Sequence, residues 1–457
     1  MTILLFLYFV FFLGLTIKNL KWAIYLVIFG LPSYLIRFEV GGLPMTVLEG
    51  MILILFMIWV FGIFKNLKTI QLKQIVLNYK LQIINYKYLF IIIFLFLISA
   101  TVAMLVAPEL QVAAGIWKAY FIEPILFLIV FITTLKKKDI KYVLMFICFN
   151  VFILSVVALY QKVTGNLIPN EWWTAETTRR VTSVFEYPNA LALYLAPVVV
   201  MLIGYLFFKI QKYKIQDTKK LQITNYELQM NYKKMFVVCY LFFVPCFALV
   251  MVYFTKSKGA LLGIVAGVIF YAIFYKGVRK YFVGILLIII LLGGYAIQTG
   301  KINLKGSATV EGGDSISVRL DMWGETWQML QDKPILGAGL MSYQKVIEPY
   351  HQKEYIEIYL YPHNIFLNFW SELGLMGLIS FLSMIVWFYV VGFKKKLSAI
   401  SYQLSIILMS GMTTLLVHGL VDVPYFKNDL SVFFWVLIGL MIILDSYKIG
   451  ENKENKV

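Results

Sequence analysis

Arginine is scarce in this chain of 457 residues: lysine carries positive charge about seven times as often, and only five arginines occur. Arg37, Arg179, Arg180 and Arg319 stand apart from the lysine-rich stretches, while Arg279 joins one of them. Lysine is enough to hold a loop on one side of a membrane. A planar guanidinium can also grip two phosphate oxygens at once. The arginines therefore point to a phosphate-bearing ligand, although Arg37 and Arg179 can instead pair with Glu39 and Glu176 in solvated loops. His363, in Pro362-His363-Asn364, is the candidate proton acceptor, because imidazole titrates near neutrality and can take a proton from a hydroxyl. The alternative is a buried histidine satisfied by a backbone carbonyl. Lys256 and Lys258, in TKSKGALLG at 255–263, flank the start of an expected helix whose free amides can receive an anion. They also suit plain interfacial anchoring. His418 and Asp422, in HGLVDVPYFKND, lie near one expected membrane face, where an ionisable pair either ties helices together or does chemistry. His351 is expected to be solvent-exposed. Cys148, Cys239 and Cys246 sit in apolar runs without metal-ligand spacing and read as packing residues.

The elements that must position these groups are membrane helices. The chain is 61% hydrophobic and 17% aromatic, against roughly 45–50% apolar residues in soluble domains. Uninterrupted apolar runs such as 88–106 and 281–297 have the length a helix needs to cross a bilayer, and they lack the alternation of barrel strands. The expected fold is an all-α polytopic transmembrane bundle of about 12–13 helices with a large outer loop containing short interfacial helices. Spans are placed near 3–17, 22–36, 46–64, 88–106, 112–135, 141–160, 188–208, 236–254, 258–275, 281–297, 370–392, 400–420 and 430–446. The first two are short and can form a hairpin.

Most of the 41 Lys+Arg fall in the connections at 18–21, 65–87, 136–141, 209–234, 276–280 and 394–396 and in the C-terminal tail. The positive-inside rule makes these cytoplasmic and turns the loops 161–187 and 298–369 outward. The net charge of +17 is thus a topology signal and not one for nucleic acid. The first apolar run lacks a basic leader and a small-residue cleavage site, so it is expected to remain as a helix. Three parts follow: 1–297, N-terminal transmembrane helices; 298–369, a large extracytoplasmic loop; and 370–457, C-terminal transmembrane helices with a short cytoplasmic tail. The related stretches at 71–88 and 218–234, which share an NYKLQI-type unit, read as solvated basic linkers on one side.

The outer loops carry the polar residues. EWWTAETTRRVTSVFEYPNALALYLAP contains Trp172 and Trp173, suited to a membrane interface, and holds Arg180 close to that surface. The second loop opens with NLKGSATVEGGDS, after which Asp314 or Ser315 can cap a helix ended by Pro334. Along that helix Ile316, Leu320, Trp323, Trp327 and Leu330 recur at helical spacing and can lie on the bilayer with Arg319 beside them.

In order, SKG at 257–259, Arg319-x-x-x-Trp323, Pro334-x-x-Gly-x-Gly339, Pro362-His363-Asn364, Glu372-x-Gly374-x-x-Gly377 and HGLVDVP at 418–424 resemble the O-antigen ligase/polymerase family of membrane glycosyltransferases, over roughly 170–440. The resemblance implies polysaccharide biosynthesis for the cell envelope at the cytoplasmic (inner) membrane, with an active site facing outward. A glycan would pass from an undecaprenyl diphosphate carrier to a glycan, lipid or protein acceptor hydroxyl, without metal or other cofactor. It casts His363 as the catalytic residue, Arg319, Arg180 and Lys258 as diphosphate ligands, and Asn364, Trp323, Glu372 and Asp422 as supporting residues. Lys258 departs from the family's Ser-Arg-Gly turn, keeping the charge and losing the fork. Ligase, polymerase and protein oligosaccharyltransferase all remain open. The alternative from another class is a secondary transporter or flippase of an anionic solute. That class favours internal repeats and binding near the midplane with broken helices, and neither repeated halves nor a charged residue deep in a helix is found in the sequence. A non-catalytic envelope scaffold is a third possibility.

Overall fold

The computed structural model describes residues 2–66, 86–221, 232–275, 315–352, 357–394 and 397–446. The expected span at 281–297, the glycine-rich stretch with Asp314, the C-terminal tail and most of both NYKLQI-type stretches lie outside these residues. Within them the protein is an all-α bundle with one small hairpin.

In chain order the helices are α1 (Thr2–Lys18), α2 (Leu20–Phe29), α3 (Val47–Asn66), α4 (Lys87–Leu105), α5 (Leu110–Thr134, passing through a π turn at Lys118–Ile122), α6 (Ile140–Thr164), α7 (Pro188–Leu221), α8 (Tyr232–Thr255), α9 (Lys258–Phe274), α10 (Ser315–Asp332), α11 (Tyr343–Ile347), α12 (Ile365–Gly392), α13 (Ala399–His418) and α14 (Asn428–Ser446). Nine of those described are long and apolar enough to cross a membrane, and α1, α2 and α9 are shorter apolar helices. Each of these twelve corresponds to an expected segment. The expected span at 22–36 is too long: α2 ends at Phe29, where Gly30 and Pro32 start a 3-10 turn. Beyond it, β1 (Arg37–Val40) and β2 (Leu43–Thr46) pair antiparallel around Gly41 and Gly42, both with positive φ. The expected span at 370–392 starts earlier, at Ile365, because the Asn364 side chain caps it by accepting from the Phe366 and Leu367 amides.

α7 and α14 run through the interior, buried on nearly all sides. Two glycine devices fix the helices around them. The first is a ladder of Gly259, Gly263 and Gly267 along one face of α9. A methyl group added at Gly263 would lie 2.7 Å from Thr414 O, and one at Gly267 would lie 2.7 Å from Ser410 O. Only glycine lets α9 come so close to the α13 backbone, a common way for helices to pack in lipid. The second device breaks α12. Gly374 adopts φ 72° and ψ −175°, which interrupts the helix, and the turn after α10 enters the break. Ala338 N donates to Ser371 O (2.6 Å), and Leu375 N donates to Ile335 O (3.0 Å). The backbone groups freed by the kink are thereby satisfied within protein, as a membrane interior demands. Gly337, with φ 65°, fits this crossing because an added methyl would meet Trp370 and Ser371 carbonyls.

The two ends of the bundle differ. At one end Lys21 pairs with Asp139 (2.7 Å), Lys394 with Asp445 (2.8 Å), and Lys137 Nζ donates to Ser398 Oγ (3.2 Å). At the other end α10, α11 and the connections around Arg180, His363 and Asp422 assemble. The ladder predicts that Gly263→Val or Gly267→Val overpacks the α9–α13 contact and lowers stability by about 1–3 kcal/mol. Thermal unfolding of the purified protein in detergent should show a fall in Tm. Gly62→Ala, where the added methyl meets nothing, should leave Tm nearly unchanged.

Candidate active site

The connection between α13 and α14 is the frame of the site. Gly419 O accepts from Ile365 N (2.7 Å), Leu420 O accepts from Asn364 Nδ2 (3.1 Å), and Val421 O accepts from Arg319 Nε (3.1 Å). Three successive carbonyls thus tie the start of α12 and the side chain of α10's arginine to one strand of backbone. Trp323 adds a fourth tie, donating from Nε1 to Pro362 O (2.8 Å). The ladder supplies the remaining wall: a methyl at Gly259 would lie 2.6 Å from Val421 Cγ2, so glycine there allows the Ser257-Lys258-Gly259 turn to rest on this connection.

A cavity of about 380 Å³ opens between these pieces. Arg180, Lys258, Arg319, Trp323 and Asp422 all line it, together with Asn189, Lys256, Ser257 and His418. Four cationic side chains face it against a single carboxylate, and the N-terminus of α9 adds its dipole and first amides. Arg180 is held in place by donating from Nε to Thr255 O (2.8 Å) and from Nη2 to Asn189 Oδ1 (3.1 Å). Arg319 is likewise fixed through Nε. Two oriented guanidinium planes and two lysines suit a ligand with several anionic oxygens.

His363 stands behind the carboxylate. Its Nδ1 lies 3.5 Å from Asp422 Oδ1, at ion-pair distance but without the alignment of a hydrogen bond, and its ring meets Tyr359 edge to face at 5.3 Å. The backbone of His363 has φ +47°, a left-handed conformation that costs about 1–3 kcal/mol for such a residue. The Asn364 cap, the Ile365–Gly419 bond and the Trp323–Pro362 bond hold it there. Burial pushes the Asp422 carboxyl up, but His363, His418 and the Val423 amide (2.9 Å) together outweigh burial and hold it below its ordinary value of 3.8. Asp422 is therefore an anion beside the His363 imidazole.

Glu372 is not brought to the cavity. It is buried in α12 and accepts from the Met341 amide, so it pins the turn that enters the α12 break. His351 is not solvent-exposed as expected: it is half-buried, with Nδ1 3.1 Å from Glu325 Oε2, and Glu325 also accepts from Gln352 N. Arg179 donates to Thr174 O, Lys162 O and Val163 O, closing the end of α6, so its role is structural but its partners are carbonyls. The apolar stripe on α10 divides. Ile316, Leu320 and Trp327 are exposed, while Leu330 packs inward with Met322 and Met329, and Trp323 bonds Pro362. His418, buried with an unpartnered Nδ1, is the lining residue given least weight in the sequence, although its HGLVD context marked it. Among the described residues no group of three His, Cys, Asp or Glu is placed to hold a metal ion.

A family model described as O-Antigen ligase matches residues 243–382. Over these residues the chain is similar to O-antigen ligases, which supports an assignment to that family. The matched stretch is narrower than the motif order suggests. It takes in Lys258, Arg319, Trp323, His363, Asn364 and Glu372 and leaves Arg180, His418 and Asp422 outside, so the ligase-type domain completes its cavity with residues from both flanks. No curated protein is matched by the sequence. Two features expected of a transporter do occur among the described residues: α12 is broken at Gly374, and Glu123, Glu372 and Asp429 lie buried within spans. The α12 break is filled by the chain's own turn.

The Asp422 environment sets a pH dependence. A carboxyl held below its unfolded value contributes stability that is fully present above pH 3.8 and is lost as pH falls through the lower folded value. Wild type and Asp422→Asn should therefore differ in Tm by a constant amount at neutral and mildly acidic pH, with the gap narrowing below pH 3.8. Thermal unfolding in detergent across this range measures it. A gap unchanged down to the lowest accessible pH would contradict the assignment.

Proposed function

We propose that this protein transfers a glycan from an undecaprenyl diphosphate carrier to an acceptor hydroxyl at the outer face of the cytoplasmic membrane. The observation that carries the reading is the convergence of Arg180, Lys256, Lys258 and Arg319 on one cavity whose wall includes the carboxylate next to His363. Lysine-rich connections at the opposite end of the bundle favour an outward orientation for this one. In the same reading 298–369 is the extracytoplasmic loop between the transmembrane parts 1–297 and 370–457.

In the proposed step the carrier's polyprenyl chain stays in the bilayer and its diphosphate occupies the cationic cavity. The acceptor oxygen attacks the anomeric carbon as the bond from that carbon to the diphosphate oxygen breaks. The bonding pair leaves with the diphosphate, and the acceptor proton passes to His363. Charge grows on the leaving group during the step, so fixed cations stabilise the transition state more than the ground state. Asp422 then stabilises the imidazolium. The reaction is metal-independent in this account, with charge neutralisation assigned to the four side chains.

The test is reconstitution with a lipid-linked oligosaccharide and an acceptor, following both free carrier diphosphate and glycosylated acceptor. His363→Ala should lower turnover about 10²–10⁴-fold, with unchanged membrane insertion. Arg319→Ala should lower it about 10²–10³-fold, and Arg319→Lys should restore only part of the loss because the fork is gone. An active His363→Ala protein removes the histidine from the step. Movement of intact lipid-linked glycan or of solute, with no carrier diphosphate released, would instead identify a flippase or transporter.

A further inference from the structure

The lysine-rich end holds a second cavity, of about 490 Å³, between the connection that starts α6, the later turns of α7 and the first turns of α13. Six lysines line it: Lys136, Lys137 and Lys138 from the connection, Lys141 from the first turn of α6, and Lys209 and Lys212 from α7. Among the described residues no carboxylate lines it, and Lys137 also donates to Ser398 Oγ. Asp139, in the same connection, is buried and engaged by Lys21 and by the Lys136 amide (2.9 Å). Topology explains lysines at this end of the bundle, but it does not require six of them around one hollow. Like charges gathered this way repel one another, and an anionic occupant offsets that cost.

The hollow also has an apolar extension. Lys141, Tyr205 and Lys209 line a neighbouring groove of about 540 Å³ that continues between α6 and α8 over Met145, Phe146 and Phe149. Met145 and Phe149 are exposed on α6, a helix long and apolar enough to cross a membrane. A cluster of ammonium groups joined to an apolar groove on a bilayer-facing surface matches an amphiphile with a phosphate head and a hydrocarbon tail. The groove runs from the head toward the middle of the spans, as an acyl chain does. A soluble polyphosphate would use the lysines and leave the groove without a role.

We propose that this is a binding site for an anionic phospholipid, with its phosphate among the six lysines and one acyl chain in the groove between α6 and α8. It is separate from the candidate active site: α7 carries Asn189 at one cavity and Lys212 at the other, and α13 carries Leu404 and His418 likewise. Those spacings put the two cavities on the order of 20–35 Å apart along the helices. A lipid seated here would join α6, α7, α8 and α13 at the lysine-rich face.

The experiment uses the full chain, purified in detergent and stripped of lipid, and counts retained lipid by native mass spectrometry after adding phosphatidylglycerol or phosphatidylcholine with the same acyl chains. Phosphatidylglycerol should be retained at least about tenfold better. In Lys141→Gln/Lys209→Gln its retention should fall roughly thirtyfold, about fivefold for each ammonium removed. Should that variant fail to fold, Lys136→Gln/Lys138→Gln, at two exposed positions, should show the same loss. Met145→Trp, which fills the groove, should weaken phosphatidylglycerol retention while leaving Tm in lipid-free detergent unchanged. Equal retention of the two lipids, or wild-type retention by the lysine variants, would overturn the proposal. So would inorganic pyrophosphate binding as tightly as phosphatidylglycerol and indifferent to Met145→Trp, which would mark a site for a soluble polyphosphate.

Discussion

Three backbone carbonyls, those of Gly419, Leu420 and Val421, hold the candidate site together. Each accepts a hydrogen bond from a different donor, the Ile365 amide, the Asn364 side chain and the Arg319 guanidinium. One such bond is worth about 1 kcal/mol net; the Leu420 bond is exposed and the Val421 bond part-buried, so the bond from the buried Ile365 to Gly419 O is the costliest to lose. The strand between α13 and α14 therefore cannot shift without abandoning either α10 or the start of α12. This rigidity places Asp422 beside His363 and lets a histidine persist at positive φ. It also explains why residues separated by more than a hundred positions share one cavity wall.

Glycine serves the same end in two ways. Along α9 it removes side chains so that the Ser257-Lys258-Gly259 turn can rest against Val421 and His418. In α12 it supplies a conformation that interrupts the helix, and the turn at 335–338 repairs the interruption with its own amide and carbonyl. Glu372 reinforces this crossing from inside α12 through the Met341 amide. The Pro334-x-x-Gly-x-Gly339 and Glu372-x-Gly374 motifs thus describe two halves of one backbone contact. Their part is to carry α10, and with it Arg319 and Trp323, to a fixed height.

The spans were legible in the sequence because length and apolarity determine them locally, and the correspondence holds for the twelve apolar helices within the described residues. The unusual placing of arginine also carried real information: Arg180 and Arg319 do share a cavity with Lys258. Contacts set by distant backbone were not legible. Nothing local says that Gly374 breaks its helix, because the compensating groups come from 335–338. The pairing of His351 with Glu325 and the carbonyl ties of Arg179 depend on how loops fold back, so simple exposure was the wrong expectation for the first and Glu176 the wrong partner for the second. The hairpin at 37–46 was hidden by an apolar run that continues past Phe29. Six lysines around one hollow read as topology alone, since their grouping depends on α7 meeting the α5–α6 connection.

The two ends of the bundle present opposite uses of positive charge. Among the described residues, arginines at one are held by backbone carbonyls and meet a single carboxylate, and lysines at the other gather without one. The central claim is that His363 and Asp422 act as one unit beside the cationic cavity, and a double-mutant cycle on carrier diphosphate release in proteoliposomes tests it most directly. The account predicts that His363→Ala/Asp422→Asn loses no more turnover than His363→Ala alone, since the carboxylate acts through the imidazole. Losses that multiply, each substitution costing its full factor in the presence of the other, would contradict it.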